Sequence, residues 1–119
     1  MNYQKLEVWK KAMELTMDIY KMIHLLPKFE TYALSDQMRC AVVSIPSNIA
    51  EGATRETQKE FKRFLYIAKG SACELETQCM ICEGIGYIGN EIINPLLESI
   101  NEIKRMLSGL IFKLDSYNA

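Results

Sequence analysis

The sequence has no apolar run that approaches the roughly 18–20 residues needed to cross a membrane. Its first residues, MNYQKLEVWKK, contain no apolar segment of the kind found in a secretory signal peptide. An excess of positive charge is also absent, because 14 Lys and Arg residues stand against 15 Asp and Glu residues. These absences favour a cytoplasmic protein, and they confine any contact with nucleic acid to a local basic patch.

Histidine is nearly absent, since His24 is the only one in the chain. A di-metal carboxylate centre in a helical bundle needs two Glu-x-x-His motifs, and the residue three positions before His24 is Lys21. A Ser-His-Asp or Cys-His set would also have to use His24, and no glycine-rich loop follows a strand pattern. We therefore expect no enzymatic activity, no metal and no cofactor, and a structural position for His24 at the end of a helix.

Cysteine is present four times, always inside a helical pattern, at Cys40, Cys73, Cys79 and Cys82. Reactive Cys-x-x-Cys pairs lie at the start of a helix, where the helix dipole lowers the thiol pKa. Cys79 and Cys82 instead fall late in a helix, on its apolar stripe. We interpret all four as free thiols and this pair as core residues.

Apolar residues recur at steps of three and four along almost the whole chain, and no segment alternates as a strand does. The pattern predicts four helices, at about residues 5–26, 34–52, 58–85 and 91–115. Short connections force neighbouring helices to run antiparallel. In the last helix the repeat from Ile93 to Tyr117 is that of left-handed bundles. The predicted fold is all-α, a left-handed, up-down-up-down antiparallel four-helix bundle, with residues 1–119 forming one domain.

Local signals mark several helix ends. Ser35 is placed to cap the second helix. Thr57 and Glu60 fit a capping box at the start of the third helix, where each side chain serves a backbone amide of the other. Gly84 and Gly86 are positioned to end that helix. Within it, small residues at positions 70–72 predict the close approach of a neighbouring helix.

The second helix carries a polar row beside its apolar stripe. The row comprises Gln37, Cys40, Ser44, Asn48, Glu51 and Arg55. Because an unpaired buried polar group costs about 1–3 kcal/mol, the row suggests either a hydrogen-bonded bundle centre or a subunit interface. The first helix has two adjacent apolar stripes, more than one bundle core can cover. We therefore predict a homo-oligomer, with the row as its interface or as a ligand site.

Basic residues cluster at the start of the third helix. Five of the fourteen lie within fifteen positions, at Arg55, Lys59, Lys62, Arg63 and Lys69. All but Arg55 share a helix face with Tyr66, so one interpretation is a phosphate-binding patch with a stacking aromatic. The other is a solvated face, or one paired with the glutamates at positions 74, 76 and 83 of a neighbour.

The motif Ser44-Ile45-Pro46-Ser47-Asn48-Ile49-Ala50-Glu51-Gly52 resembles the 23S rRNA-intervening sequence proteins. Supporting segments are Leu6-Glu7-Val8-Trp9, Lys59-Glu60-Phe61, Gly70-Ser71 and Glu74-Leu75-Glu76. The resemblance runs from about Tyr3 to Leu114. It implies a bacterial bundle that assembles into a ring, a homopentamer, with no established enzyme activity. It also implies kinship with the accessory protein of diversity-generating retroelements, which binds nucleic acid and a reverse transcriptase.

Two functions remain open at this point. The first is a non-catalytic oligomeric scaffold that recruits a protein partner, favoured by the near-neutral charge and the broad apolar faces. The alternative is an RNA- or DNA-binding ring that uses the basic face of the third helix. An enzyme that uses Glu51 and Arg55 is a distant third, because a base and a nucleophile are missing.

Overall fold

Four α-helices make up most of the structure, a computed structural model that describes residues 1–117. They are α1 (Glu7–Ile23), α2 (Leu34–Ala53), α3 (Gln58–Ile85) and α4 (Asn90–Tyr117), with single 3-10 turns at Tyr3–Lys5 and Lys28–Glu30. No strand occurs among the described residues. The predicted all-α fold is confirmed.

The four helices form a closed bundle in which each packs on the next and α4 packs on α1. Their contacts show that neighbours run antiparallel. The start of α2 meets the end of α3, where the Cys82 thiol lies 3.7 Å from the Met38 sulfur. The start of α3 likewise meets the end of α4 through Lys62 and Asp115. The molecule is accordingly long and narrow, about 48 Å by 23 Å by 20 Å, and the predicted antiparallel bundle is confirmed.

One helix end and one helix start differ from the sequence-based expectation. α1 ends at Ile23, not at Leu26, because the chain turns ahead of Pro27, whose ring disfavours helix in the preceding residue. Ser35 does not cap α2, since the cap position is Ala33 and Ser35 is the second helical residue. The Leu34 amide instead donates to the Glu30 carboxylate at 3.4 Å.

The ends of α3 follow the predicted signals more closely. The Thr57 hydroxyl accepts a hydrogen bond from the Glu60 amide at 3.1 Å, which is one half of the capping box. Gly86 ends the helix with a φ of 91°, a conformation that other residues rarely adopt. Gly84 lies inside the helix and does not stop it.

The core runs the length of the bundle and contains the predicted apolar stripes of α2, α3 and α4 and one of the two stripes of α1. In α4 the repeat is buried at its predicted positions from Ile93 to Leu114 except at Leu110, which is half-buried; the side chain of Tyr117 lies outside the described residues. Cys79 and Cys82 are fully buried, and burial raises the pKa of Cys79 to about 12. Both thiols are therefore neutral core residues, as predicted.

The end of α2 crosses the start of α3 at close range. A Cβ added at Gly52 would lie 2.6 Å from the Phe64 Cβ and 3.0 Å from the Phe61 ring. Gly70, which was predicted to admit a neighbouring helix, instead faces open space, and only Ser71 and Ala72 of that group pack inward. The reason is rotational: Gly70 lies on the outer side of α3.

Candidate functional site

The centre of the polar row lies in the seam between α2 and α3, where its groups find partners within the chain. The Ser44 and Ser71 hydroxyl oxygens are 2.8 Å apart. The Asn48 amide donates to both the carbonyl and the hydroxyl oxygen of Ser44, each at 2.8 Å. All three side chains are half-buried. This cluster joins the two helices and is hydrogen-bonded without a second subunit.

The two ends of the row lie in solvent. Arg55 donates to the Glu51 carboxylate at 2.6 Å, and both side chains are about half exposed. Gln37, at the other end, is exposed. The row is thus a short buried cluster with two exposed ends rather than one continuous site. Glu51 and Arg55 neutralise each other on an open helix surface, which is a poor setting for catalysis.

The basic residues of α3 separate into two groups. The arginines flank one aromatic ring: the Arg55 guanidinium lies 4.9 Å and the Arg63 guanidinium 4.6 Å from the Phe64 ring centre. Arg63 also donates to the Glu60 carboxylate at 2.7 Å, and this hydrogen bond lowers the pKa of Glu60. Both arginines are therefore engaged locally, by Phe64 and by a carboxylate.

Two lysines of the same segment lie beside α4, namely Lys62 and Lys69. Lys62 pairs with Asp115 at 2.5 Å, whereas Lys59 and Lys69 have no ion-pair partner among residues 1–116. Tyr66 lies between them and is 58% exposed. Lys59, Lys62, Arg63 and Tyr66 line one shallow depression, so the structure brings most of the predicted basic face together.

Sequence reasoning missed the contribution of α4 to this basic face. Lys104 and Arg105 line a second depression together with Lys69. Lys104 is paired with Glu76 at 3.2 Å, and Arg105 has no ion-pair partner in the described part of the chain. The pairing of Lys104 with Glu76 depends on the register between α3 and α4. That register cannot be predicted from a single sequence.

Apolar side chains remain uncovered on the outside of α1 and α2. We call this surface the outer α1–α2 face, and its residues are Trp9, Met13, Met17, Tyr20 and Val43. Trp9 and Met13 are half-buried, while Met17 is 53%, Tyr20 40% and Val43 39% exposed. This is where one of the two stripes of the first helix, predicted as buried, reaches solvent.

The described residues offer no cluster of three His, Cys, Asp or Glu side chains with the geometry of a metal site. None of the helices between residues 1 and 117 combines the length and apolar character required to cross a bilayer. His24 is exposed at the end of α1.

Comparisons with known proteins add a family and a fold. A family model described as 23S rRNA-intervening sequence protein matches residues 4–109. A crystal structure of a protein of unknown function from the S23 ribosomal protein family of Bacteroides thetaiotaomicron VPI-5482 superposes with a TM-score of 0.82 at 25% sequence identity. The match covers 87% of this chain and 97% of that one. No curated protein matches the sequence significantly.

Proposed function

We propose that this chain, which belongs to the 23S rRNA-intervening sequence protein family, is a non-catalytic bundle that assembles with copies of itself and acts as a scaffold. The observation that carries the proposal is the outer α1–α2 face, where Met17, Tyr20 and Val43 are each about 40–50% exposed on adjacent helices. Contiguous apolar surface of this kind marks an interaction site in a soluble protein.

A second surface supports assembly into a ring. A ring requires two different contact surfaces on each subunit. On the other side of α2, Ile67 and Ile81 of α3 are 41% and 42% exposed, and Ile67 lies one helical turn before Ser71, the partner of Ser44 in the polar row. Two different surfaces of this kind form a ring when the rotation from one subunit to the next closes, and otherwise a filament. Five is the number that the family resemblance implies.

Sedimentation equilibrium tests the assembly. We expect the wild-type chain to be an oligomer at micromolar concentration and the double variant Met17→Glu, Val43→Glu to be a folded monomer. Met80→Glu is the matched control, because Met80 is 54% exposed, almost the same as Met17, but lies on the outer side of α3. A monomeric wild-type chain would contradict the proposal, as would a control that dissociates the oligomer equally.

A second candidate function is the binding of RNA or DNA. The observation in its favour is that basic residues line two depressions along α3 and α4. Lys59 lies beside Tyr66 in one, Lys69 and Arg105 line the other, and these three have no ion-pair partner in the described part of the chain. Phe112, seven residues after Arg105 on the same side of α4, is 73% exposed. Exposed aromatics between basic residues are typical of single-strand binding, and a ring would multiply a weak patch.

Fluorescence anisotropy with a labelled single-stranded RNA separates the two functions. Nucleic-acid binding should weaken steeply between low and moderate salt and should be lost in the double variant Lys69→Ala, Arg105→Ala. The control Lys5→Ala, Lys21→Ala removes the same charge from exposed positions elsewhere. No binding at low salt would eliminate this candidate and leave the scaffold.

A further inference from the structure

A depression at the turn between α1 and α2 has features of an anion site that the scaffold role does not use. It has a volume of about 410 Å³, within the range of small-molecule sites. Three of its lining residues are the cationic or ionisable side chains His24, Lys28 and Arg39, and no carboxylate lines it. Ile23 and Leu26 form an apolar wall.

The two permanent charges of the depression are largely available. Lys28 is exposed and has no ion-pair partner within residues 1–116. Arg39 uses only its Nη2 atom, which donates to the Thr31 carbonyl at 3.0 Å and to Asp36 at 3.3 Å. Two acids lie near this end of α2 without lining the depression: Asp36, whose side chain is 57% exposed, and Glu30, whose carboxylate accepts from the Leu34 amide at 3.4 Å. The remaining guanidinium donors of Arg39 are free to bind an anion.

Ser35 provides an independent indication of a ligand. This residue is only 4% exposed and lines the depression, yet its hydroxyl has no hydrogen-bond partner among the described residues. It lies in the first turn of α2, a 20-residue helix. The backbone amides of Ser35 and Asp36 also have no acceptor there, as is usual at a helix start. The Ser35 oxygen is not one of the fully enclosed side-chain atoms, so it is reached from the depression and is available to hydrogen-bond with a ligand there.

We propose that this depression binds the phosphate group of a small phosphomonoester. A phosphate of this kind carries a charge of about −1.5 to −2 at neutral pH and several acceptor oxygens, as in phosphorylated side chains. Lys28 and Arg39 match that charge, and the Ser35 hydroxyl and the start of α2 supply hydrogen bonds. Asp36 already balances part of the charge of Arg39, so the preference for phosphate over a carboxylate rests on the additional acceptor oxygens that a phosphate offers to Ser35 and to the start of α2. The rest of the ligand lies against Tyr20, Ile23 and Leu26.

Isothermal titration calorimetry on the full-length chain at low salt tests the site. The probes are inorganic phosphate, glycerol 3-phosphate and AMP, with glycerol, adenosine and acetate as counterparts that lack the phosphate. We expect at least one phosphate compound to bind at micromolar to submillimolar concentration and the counterparts not to bind. Binding by acetate as tight as by the phosphates would overturn the assignment, and so would the absence of any binding below the millimolar range.

Variants locate the site. Lys28→Ala and Ser35→Ala should each weaken phosphate binding at least about tenfold, since each variant removes a hydrogen bond to a charged group. Lys21→Ala is the matched control, because it removes one positive charge from the same helix end on the side that faces α4. Equal weakening by Lys21→Ala would overturn the proposal in favour of non-specific attraction. Lys28 is exposed, so its variant carries the test if Ser35→Ala lowers the stability of the fold.

Discussion

The two flanks of α2 differ in how their side chains are partnered. On the flank that faces α3, polar groups pair within the chain: Ser44 with Ser71, and Asn48 with Ser44, all at 2.8 Å. On the flank that faces α1, Val43 of the outer α1–α2 face remains 39% exposed. The side chains on the flank that faces α3 therefore have partners within the chain, whereas the apolar side chain on the flank that faces α1 does not.

The two flanks of α2 show which kind of side chain indicates that a partner subunit is missing. A polar side chain beside a core suggests a subunit interface only if its hydrogen bonds are unmade, and here the chain makes them itself. An apolar side chain left on the surface has no such internal solution, because its burial requires another surface. The outer α1–α2 face is therefore the stronger indication of assembly, and the polar row contributes through its exposed ends.

The largest expected effect of a single substitution is at the close contact on the polar flank. Gly52→Ala should destabilise the fold by about 1–3 kcal/mol, because the new methyl group overlaps the Phe64 Cβ and the Phe61 ring. Gly70→Ala is the control, since nothing lies within 4 Å of its added Cβ. It should stabilise α3 by up to about 1 kcal/mol, through helix propensity alone.

Urea unfolding at a fixed protein concentration measures both glycine variants. If Gly52→Ala is as stable as the wild-type chain, the contact between α2 and α3 is looser than the distances indicate. If Gly70→Ala is destabilised, its side of α3 is covered in the assembled protein, which would extend the ring interface to that surface.

A smaller effect is expected at the hydrogen-bonded centre of the same flank. Ser44→Ala removes the hydroxyl that joins Ser71 to Asn48, and should cost about 1 kcal/mol. Ser47→Ala is the matched control, because Ser47 is on the same helix but exposed. Equal unfolding free energies for the two variants would mean that the seam does not depend on this cluster. Dissociation of the oligomer by Ser44→Ala alone would move the interface to the polar flank.

The fold could be predicted from the sequence because each helix carries its own apolar stripe and local end signals. Thr57 and Gly86 act through neighbours within a few residues, so their roles follow from short patterns. Burial of Cys79 and Cys82 follows equally from their place on the stripe of α3. Ser35 shows the limit of such reasoning, since the irregular turn before it has no period that fixes where α2 begins.

The sites were less predictable because they depend on register between helices. Ser71 is the partner of Ser44 across 27 residues, and Lys104 and Arg105 join Lys69 from a different helix. The depression that holds Lys28 and Arg39 forms only when the turn folds back over α1 and α2. None of these contacts between distant residues can be predicted from a local sequence pattern.

The smallest expected effect lies at the exposed end of the polar row. Arg55→Gln should change the unfolding free energy by less than about 1 kcal/mol, because its ion pair with Glu51 is exposed and its contact with the Phe64 ring is shared with Arg63. Glu51→Gln removes the ion pair but keeps Arg55 over the ring, so the difference between the two variants measures the ring contact. High salt should remove the effect of Glu51→Gln and leave that contact.

The same two variants, examined by sedimentation equilibrium, give the decisive contrast between the flanks. If Arg55→Gln dissociates the oligomer and the Met17→Glu, Val43→Glu variant does not, the polar flank holds the subunits together and the roles of the two flanks are reversed.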